Sequence, residues 1–352
     1  MRTTYGLVLG LVGMAAAARG SISQATSPNP GGFIQAGAYA SSIPGIIPGA
    51  DMSPAASADF EEHSFTNPGS TAADAAYSGG QVSNSSSGTA GMGYLRMHAF
   101  NSGPNSTSFS GGEVNGCWKD TFTVSNPGLN GQAGYMVFQV RGRGTLSANG
   151  FAGLAGIHTT GYKNNQELML NALFNRGNSD AISTDRQRAQ WGAASAPNVT
   201  RTVDGVVTMA VPITFGTPFS LSVCAMAQAG QRSQSGVTGL SNGTVDFTGQ
   251  GITWNGIVSI TNSAMTPVTG SSIISGSGID WGAPVLTCDS IDFNGDGLYP
   301  DTADVDDFLS VFSGGPCSTG TCGDIDFNND GLFPDTSDID SLLNVFSGGA
   351  CL

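Results

Sequence analysis

Two acidic segments of one pattern lie near the C-terminus, DFNGDGLYPDTAD at residues 292–304 and DFNNDGLFPDTSD at residues 326–338. The first offers side-chain oxygens at alternate positions, from Asp292, Asn294 and Asp296, and then a glycine at the sixth position. Alternating oxygen donors followed by a glycine, which tolerates a left-handed turn, are typical of a calcium-binding loop. Several carboxylates in so short a loop repel one another unless a cation lies between them. The spacing therefore predicts one Ca²⁺ ion in each segment.

The predicted ligands are equivalent in the two copies and include a backbone carbonyl at the seventh position. They are Asp292, Asn294, Asp296, Leu298, Asp301 and Asp304 in the first loop, and Asp326, Asn328, Asp330, Leu332, Asp335 and Asp338 in the second. A standard EF-hand loop has glutamate at position twelve, where this chain has Ala303 and Ser337. In both copies the final aspartate comes one place later, which indicates one inserted residue next to Pro300 and Pro334.

An apolar pattern with helical spacing follows each acidic segment. Its members recur at i, i+3, i+4 and i+7: Val305, Phe308, Leu309 and Phe312 in the first copy, and Ile339, Leu342, Leu343 and Phe346 in the second. Each pattern ends at Ser-Gly-Gly, a sequence that favours the end of a helix. We expect two loop–helix repeats that bury these apolar stripes against each other.

The tandem repeat resembles the dockerin domain, which pairs D-x-N-x-D-G loops ending in Asp with one helix each. The resemblance covers residues 287–352 and implies two calcium ions, one per repeat, and docking onto a cohesin-like or envelope protein. In dockerins the two residues before the final Asp help to recognise the partner; here they are Thr302–Ala303 and Thr336–Ser337. The inserted loop residue, the flanking cysteines and the absence of Lys and Arg from the helices depart from that family's pattern.

Charge is distributed unevenly between this region and the rest of the chain. Residues 287–352 hold 13 of the 26 acidic residues of the 352-residue chain and none of its 12 Lys and Arg, while the other residues nearly balance. Neither part could neutralise phosphates, so the composition argues against nucleic acid as a partner.

The N-terminus has the pattern of a secretory signal peptide. MRTTYG carries one positive charge, LVLGLVGMAAAA is apolar, and small residues follow, so we expect cleavage near residues 18–25 and a signal peptide over 1–25. No later stretch approaches a membrane span. The sequence thus predicts a secreted bacterial protein, extracellular or at the cell surface.

Export gives the six cysteines a structural role, because disulfides persist outside the cytosol. Cys117 and Cys224 form a plausible pair in the body. For the four others, pairing Cys288 with Cys317 and Cys322 with Cys351 follows the repeat and is slightly preferred. The alternative, Cys288 with Cys351 and Cys317 with Cys322, is symmetric about the centre of the region and stays open.

Residues 26–286 contain short β-rich segments separated by Gly, Pro and Asn, which predicts an antiparallel β-sandwich of jelly-roll type, with residues 26–88 partly loose and holding one or two short strands. QELMLNALF fits a strand at least as well as a helix. The segments GMGYLRMHAF, DTFTV, PITFGTPFSLSVCAMA and GTVDFTGQGITW resemble the body of secreted bacterial proteins often found with PEP-CTERM sorting tails. That resemblance implies a β-sandwich, mostly without an assigned activity.

The body contains no HExxH motif and no G-x-S-x-G nucleophile elbow in a strand–turn–helix setting. Glycoside hydrolysis would need a pair of carboxylates. The candidates for that pair in the body are Glu61, Glu62, Glu113, Asp120, Glu167, Asp204 and Asp246. Core packing is the favoured role of Trp118, Trp191, Trp254 and Trp281, and stacking on a sugar is the alternative. We therefore expect a non-enzymatic protein tethered through its calcium module; the alternative is a carbohydrate-active enzyme or a carbohydrate-binding protein.

Overall fold

The computed structural model of the chain describes residues 30–41, 58–67, 69–79, 82–104, 109–150, 153–176, 181–183, 200–231, 239–285, 288–328, 333–347 and 351. The predicted signal peptide, Trp191, Asp330 and Leu332 lie outside these residues. The chain divides into two compact units, Met1–Ala283 and Pro284–Leu352.

The first unit is built of antiparallel strands. Their bounds are β1 Gly31–Ser41, β2 Ala58–Thr66, β3 Ser70–Gly79, β4 Val82–Gly91, β5 Tyr94–Pro104, β6 Phe109–Ser125, β7 Ala133–Asn149, β8 Gly153–Lys163, β9 Gln166–Arg176, β10 Ala181–Ser183, β11 Thr200–Thr214, β12 Phe219–Gln231, β13 Leu240–Asn262 and β14 Ser272–Ser275.

These strands form two sheets. Sheet 1 has the order β10-β9-β8-β12-β6-β1-β2, with β14 also paired to β6, and sheet 2 has the order β11-β7-β13-β5-β4-β3. The prediction of a mainly β chain is confirmed, and QELMLNALF is a strand, β9. The two segments GTVDFTGQGITW and NGIVSIT lie in the single strand β13, whose pairing shifts register between Phe247 and Ile252 and again near Ile257.

The two sheets contact each other through large aromatic side chains. Trp118 of β6 in sheet 1 lies with its ring centroid 5.5 Å from that of Trp254 of β13 in sheet 2. Trp281 stacks on Trp118 at 4.8 Å, and all three side chains are buried. The predicted core role of these three tryptophans is therefore confirmed.

Residues 26–88 contain more strand than the sequence indicated. All of β1, β2 and β3 and most of β4 lie there, where one or two short strands were expected. Many side chains in this region are small, so apolar periodicity is weak although Ala36, Ala73 and Ala75 are buried. Strand pairing and close packing, which composition does not indicate, determine the structure here.

The described residues of the second unit form two helices, α1 Thr302–Phe312 and α2 Thr336–Phe346, where loop–helix repeats were expected. Phe293, Phe308, Phe327 and Leu342 are buried together between them. The repeats exchange equivalent backbone hydrogen bonds, from Gly323 N to Phe293 O (2.7 Å) and from Asp289 N to Phe327 O (2.8 Å).

One part of the predicted apolar stripe is wrong. Leu309 and Leu343 are 42% and 46% exposed, whereas Phe308 and Leu342 are buried. Two short helices and two loops cover only one side of each helix, and the i+4 leucine falls outside the covered side.

Three disulfides join all six cysteines. Cys117 and Cys224 face each other across β6 and β12, as expected. In the second unit Cys288 bonds to Cys351 and Cys317 to Cys322, so the preferred pairing within each repeat is wrong. The equivalent hydrogen bonds between the repeats place the start of the first beside the second, and Cys288 lies within bonding distance of Cys351 at the chain's end.

Among the described residues, no helix is long and apolar enough to cross a membrane.

Candidate metal centre

The first acidic loop is a tight turn stabilised by its own carboxylates. The carboxylate of Asp292 accepts hydrogen bonds from the backbone N–H groups of Asp296 and Gly297, both at 3.1 Å. Asn294 Oδ1 accepts from Asp296 N at 3.1 Å. Gly297 has φ +82°, which a side chain would disfavour, as the sixth position requires. The turn thus brings the first three predicted ligands together.

The two later aspartates of this loop meet at the start of α1. Asp301 is the N-cap residue, and its Oδ1 accepts from Ala303 N at 2.8 Å. Asp304 is fully buried, and its carboxylate accepts from Asp301 N (3.2 Å) and from Asn294 N (3.4 Å). Asp304 therefore joins the helix to the loop, whereas the Asp301 carboxylate faces the helix N-terminus, where a negative charge is stabilised.

The second loop has the same arrangement in its described residues. Asp335 is the N-cap residue of α2 and accepts from Ser337 N at 2.8 Å. Its own N–H donates to Asp338 Oδ2 at 3.0 Å. Asp326, Asn328 and Asp338 are buried.

Negative charges act on one another inside the second loop. Burial raises the pKa of Asp338, the backbone N–H groups of Asp335 and Asn328 lower it, and the charges of Asp326 and Asp335 raise it again, so the net direction is upward. The Asp338 side chain is fully buried, and the described groups that approach its carboxylate as donors are the backbone N–H groups of Asp335 and Asn328. A buried carboxylate in this setting is stabilised by a cation or by protonation.

The donor set fits a hard cation. In the part of the chain that the structure describes, no three His, Cys, Asp or Glu side chains form a compact metal-binding group. The loops instead combine carboxylate oxygens with the amide oxygens of Asn294 and Asn328 and with backbone carbonyls. Such mixed oxygen sets suit Ca²⁺, while zinc prefers sulfur and imidazole nitrogen.

Sequence reasoning missed Asp307, which contacts a predicted ligand. It lies one turn after Asp304 on α1, is 6% exposed, and accepts a hydrogen bond from Asn294 Nδ2 at 3.2 Å. The doubled acid at Asp306–Asp307 was the only available signal, because the second repeat has Asp340–Ser341 at the equivalent positions.

In the body, the two most deeply buried candidate carboxylates, Asp120 and Glu113, accept hydrogen bonds from uncharged side chains. Asp120 Oδ2 accepts from Trp281 Nε1 at 2.7 Å. Glu113 Oε2 accepts from Gln228 Nε2 at 2.6 Å, and burial raises the pKa of Glu113. Neither contact pairs two carboxylates, the arrangement that glycoside hydrolysis uses. The three buried tryptophans likewise present no face to a sugar in solvent.

Comparison of the chain with protein-family models, curated proteins and solved structures gives no match.

Proposed function

We propose that residues 287–352 form a dockerin-like module that binds two Ca²⁺ ions and tethers the β-rich body to an extracellular partner. The observation that carries the proposal is the doubled segment: in both copies the aspartate at the last position is buried, and the loop leads into a helix capped by an aspartate of the same loop. A chance Asx turn would have no reason to recur with this register.

Calcium would supply the positive charge that the module lacks. Residues 287–352 contain no Lys or Arg, so no side-chain cation of this region can offset the repulsion among the acids of each loop. We propose that Asp292, Asn294, Asp296 and Asp304 hold the first ion with the carbonyl of Leu298, and that Asp301 contributes at the helix end. Asp326, Asn328, Asp330, Leu332, Asp335 and Asp338 are the proposed ligands of the second.

The docking surface is proposed on the exposed sides of the helices. Four exposed positions at helical spacing carry the same residue types in both repeats: Thr302, Asp306 and Leu309 of α1 with its C-cap Ser313, and Thr336, Asp340 and Leu343 of α2 with its C-cap Ser347. Internal packing does not require this identity, since these side chains face solvent. An exposed leucine surrounded by small polar residues and acids is suited to an apolar pocket on a partner.

The connectivity of the body supports a jelly-roll-like sandwich. The chain passes between the sheets at each step from β5 to β7 and from β11 to β14. In sheet 2 the order β11-β7-β13-β5 places strands from both passages side by side, and in sheet 1 β12 and β14 both pair with β6. This interleaving is typical of two Greek keys folded together.

Three disulfides indicate folding in an oxidising, extracellular environment. We propose that the N-terminal signal peptide directs the chain there. The body would then be the displayed part and the module its attachment.

Capture of envelope proteins from the source organism tests the tether. The immobilised full-length protein should retain a partner in Ca²⁺ and release it when a chelator is added. Leu309→Asp combined with Leu343→Asp should abolish retention, because charges in an apolar contact are costly. Val206→Asp, at an exposed apolar residue of the body, is the matched control and should leave retention unchanged. If neither the chelator nor the leucine substitutions reduce the amount of partner that is retained, the docking proposal is refuted.

A further inference from the structure

The backbone of Asn294 is fixed on both sides. Its N–H donates to Asp304 Oδ1 at 3.4 Å, and its carbonyl oxygen accepts from the hydroxyls of Thr319 (2.5 Å) and Thr321 (3.0 Å). Both threonines lie in the short loop closed by the Cys317–Cys322 disulfide. The loop closed by this disulfide therefore binds the backbone of Asn294, the residue at position three of the first acidic loop.

The side-chain amide of Asn294 is also held in one orientation. Its Nδ2 donates to Asp307 Oδ2 at 3.2 Å, and its Oδ1 points the other way and accepts from Asp296 N at 3.1 Å. An amide nitrogen cannot ligate a cation, whereas the amide oxygen is a good calcium ligand. The Asn294 atom that faces the loop is thus its amide oxygen, which is the atom that can bind a cation.

Asp307 is itself rigidly held. Its Oδ1 accepts from Ser318 N at 2.8 Å and its Oδ2 from Ser318 Oγ at 2.6 Å. In these contacts and in that from Asn294 the donor is an N–H or O–H group, so the Asp307 carboxylate accepts hydrogen bonds and donates none.

We propose that Asp307 is a positioning residue of the first calcium loop: it binds the Asn294 nitrogen and so presents the Asn294 oxygen to the ion. The inference rests on the proposed calcium function. It applies to the first repeat alone, because Ser341 and Leu352 occupy the positions equivalent to Asp307 and Ser318.

Asp307→Asn is the direct test, measured on the full-length protein. If the new amide keeps its oxygen towards Asn294, its NH₂ group faces the Ser318 N–H; if it turns to avoid that contact, the NH₂ group faces Asn294 Nδ2. The contact that orients Asn294 is therefore weakened or lost. Loss of a group that orients a metal ligand reduces metal affinity about 10-fold to 100-fold. Asp306→Asn removes the same charge from the exposed neighbouring position and should weaken binding by at most about 3-fold.

Terbium luminescence can report the first site separately. Tyr299 follows the proposed ligand Leu298 and has Phe333 as its counterpart in the second loop. Terbium emission excited through tyrosine, and lost in Tyr299→Phe, therefore reports the first loop, and calcium competition gives its affinity. Calcium titration by calorimetry measures both sites. The affinity of the second loop should be unchanged in Asp307→Asn.

A double-mutant cycle separates positioning from a structural role. In an Asn294→Asp background the third ligand has two equivalent oxygens and needs no orientation, and it faces Asp307 as a like charge. There Asp307→Asn should leave affinity unchanged or increase it. An equal loss of affinity in both backgrounds would mean a structural effect and would overturn the proposal, as would equal affinities of Asp307→Asn and Asp306→Asn.

Asp307→Ser, which copies the second repeat, is the second variant should Asp307→Asn lose helix by circular dichroism. Failure of the unmutated protein to bind either ion would overturn the calcium function itself.

Discussion

At the scale of single residues, His158 links the stability of the body to pH. It lies on β8 with 4% of its surface exposed, and burial lowers its pKa from 6.5 to about 4. The folded body therefore keeps the imidazole neutral, while the unfolded chain takes up a proton below about pH 6.5. Its contribution to stability is complete above pH 6.5 and is lost as the pH falls towards 4.

We predict that His158→Gln reduces the loss of stability between pH 7 and pH 4.5. The linked contribution is at most roughly 3 kcal/mol, from the size of the shift. Urea unfolding followed by tryptophan fluorescence measures the body alone, because all four tryptophans lie between residues 118 and 281. The difference in unfolding free energy between the two proteins should change with pH. If that difference is constant, His158 does not titrate as described.

The residue scale also shows what the loop pattern could and could not predict. Residue types and spacing located the first turn and Gly297 at its sixth position, but they assigned Asp301 and Asp335 only as calcium ligands and did not identify them as helix caps. They gave no indication of the contact between Asp307 and Asn294, because Asp307 is held by Ser318 in the bridged loop, and the bridge depends on which cysteines pair. Symmetry alone left two pairings open, and the association of the two repeats decided between them.

At the scale of elements, the two sheets approach closely where β6 crosses β4 and β5. A Cβ atom added to Gly112 would lie 2.2 Å from the backbone oxygen of Ser85 and 2.9 Å from that of Phe100. Both obstacles are backbone atoms, which cannot move aside without separating the sheets.

We therefore predict that Gly112→Ala destabilises the body by about 1–3 kcal/mol or more. Gly249→Ala is the matched control, because no atom lies within 4 Å of the added Cβ, and it should change stability by no more than about 0.5 kcal/mol. Chemical denaturation followed by tryptophan fluorescence compares the two. Equal stabilities would contradict the close approach of the sheets.

Strands with strong alternation were predictable from sequence, and those without it were not. In β7 the buried Met136, Phe138 and Val140 alternate with partly exposed neighbours, a pattern that indicates a strand directly. The pattern in β3 is carried by alanines, and β4 is rich in serine and glycine. These two strands are held by pairing: β3 pairs with β4, and β4 pairs with β5. Such contacts between strands leave little apolar periodicity in the sequence.

At the scale of the whole molecule, the chain joins a nearly neutral β unit to an acidic helical one. The acids of the second unit repel one another, and its small core is held by two disulfides. Calcium should therefore stabilise this unit selectively, by an amount that grows with the ratio of free calcium to the dissociation constant. The tryptophan-monitored unfolding of the body should not depend on calcium.

Calcium titration of the chelator-treated full-length protein tests the central claim most directly. The unmutated protein should bind two ions. Asp292→Ala combined with Asp326→Ala should bind none, since each change removes the first ligand of a loop. Asp306→Ala with Asp340→Ala, which removes the same charge from exposed positions on the helices, should still bind two. Absence of binding by the unmutated protein, or undiminished binding by the Asp292→Ala, Asp326→Ala protein, would contradict the assignment of these loops.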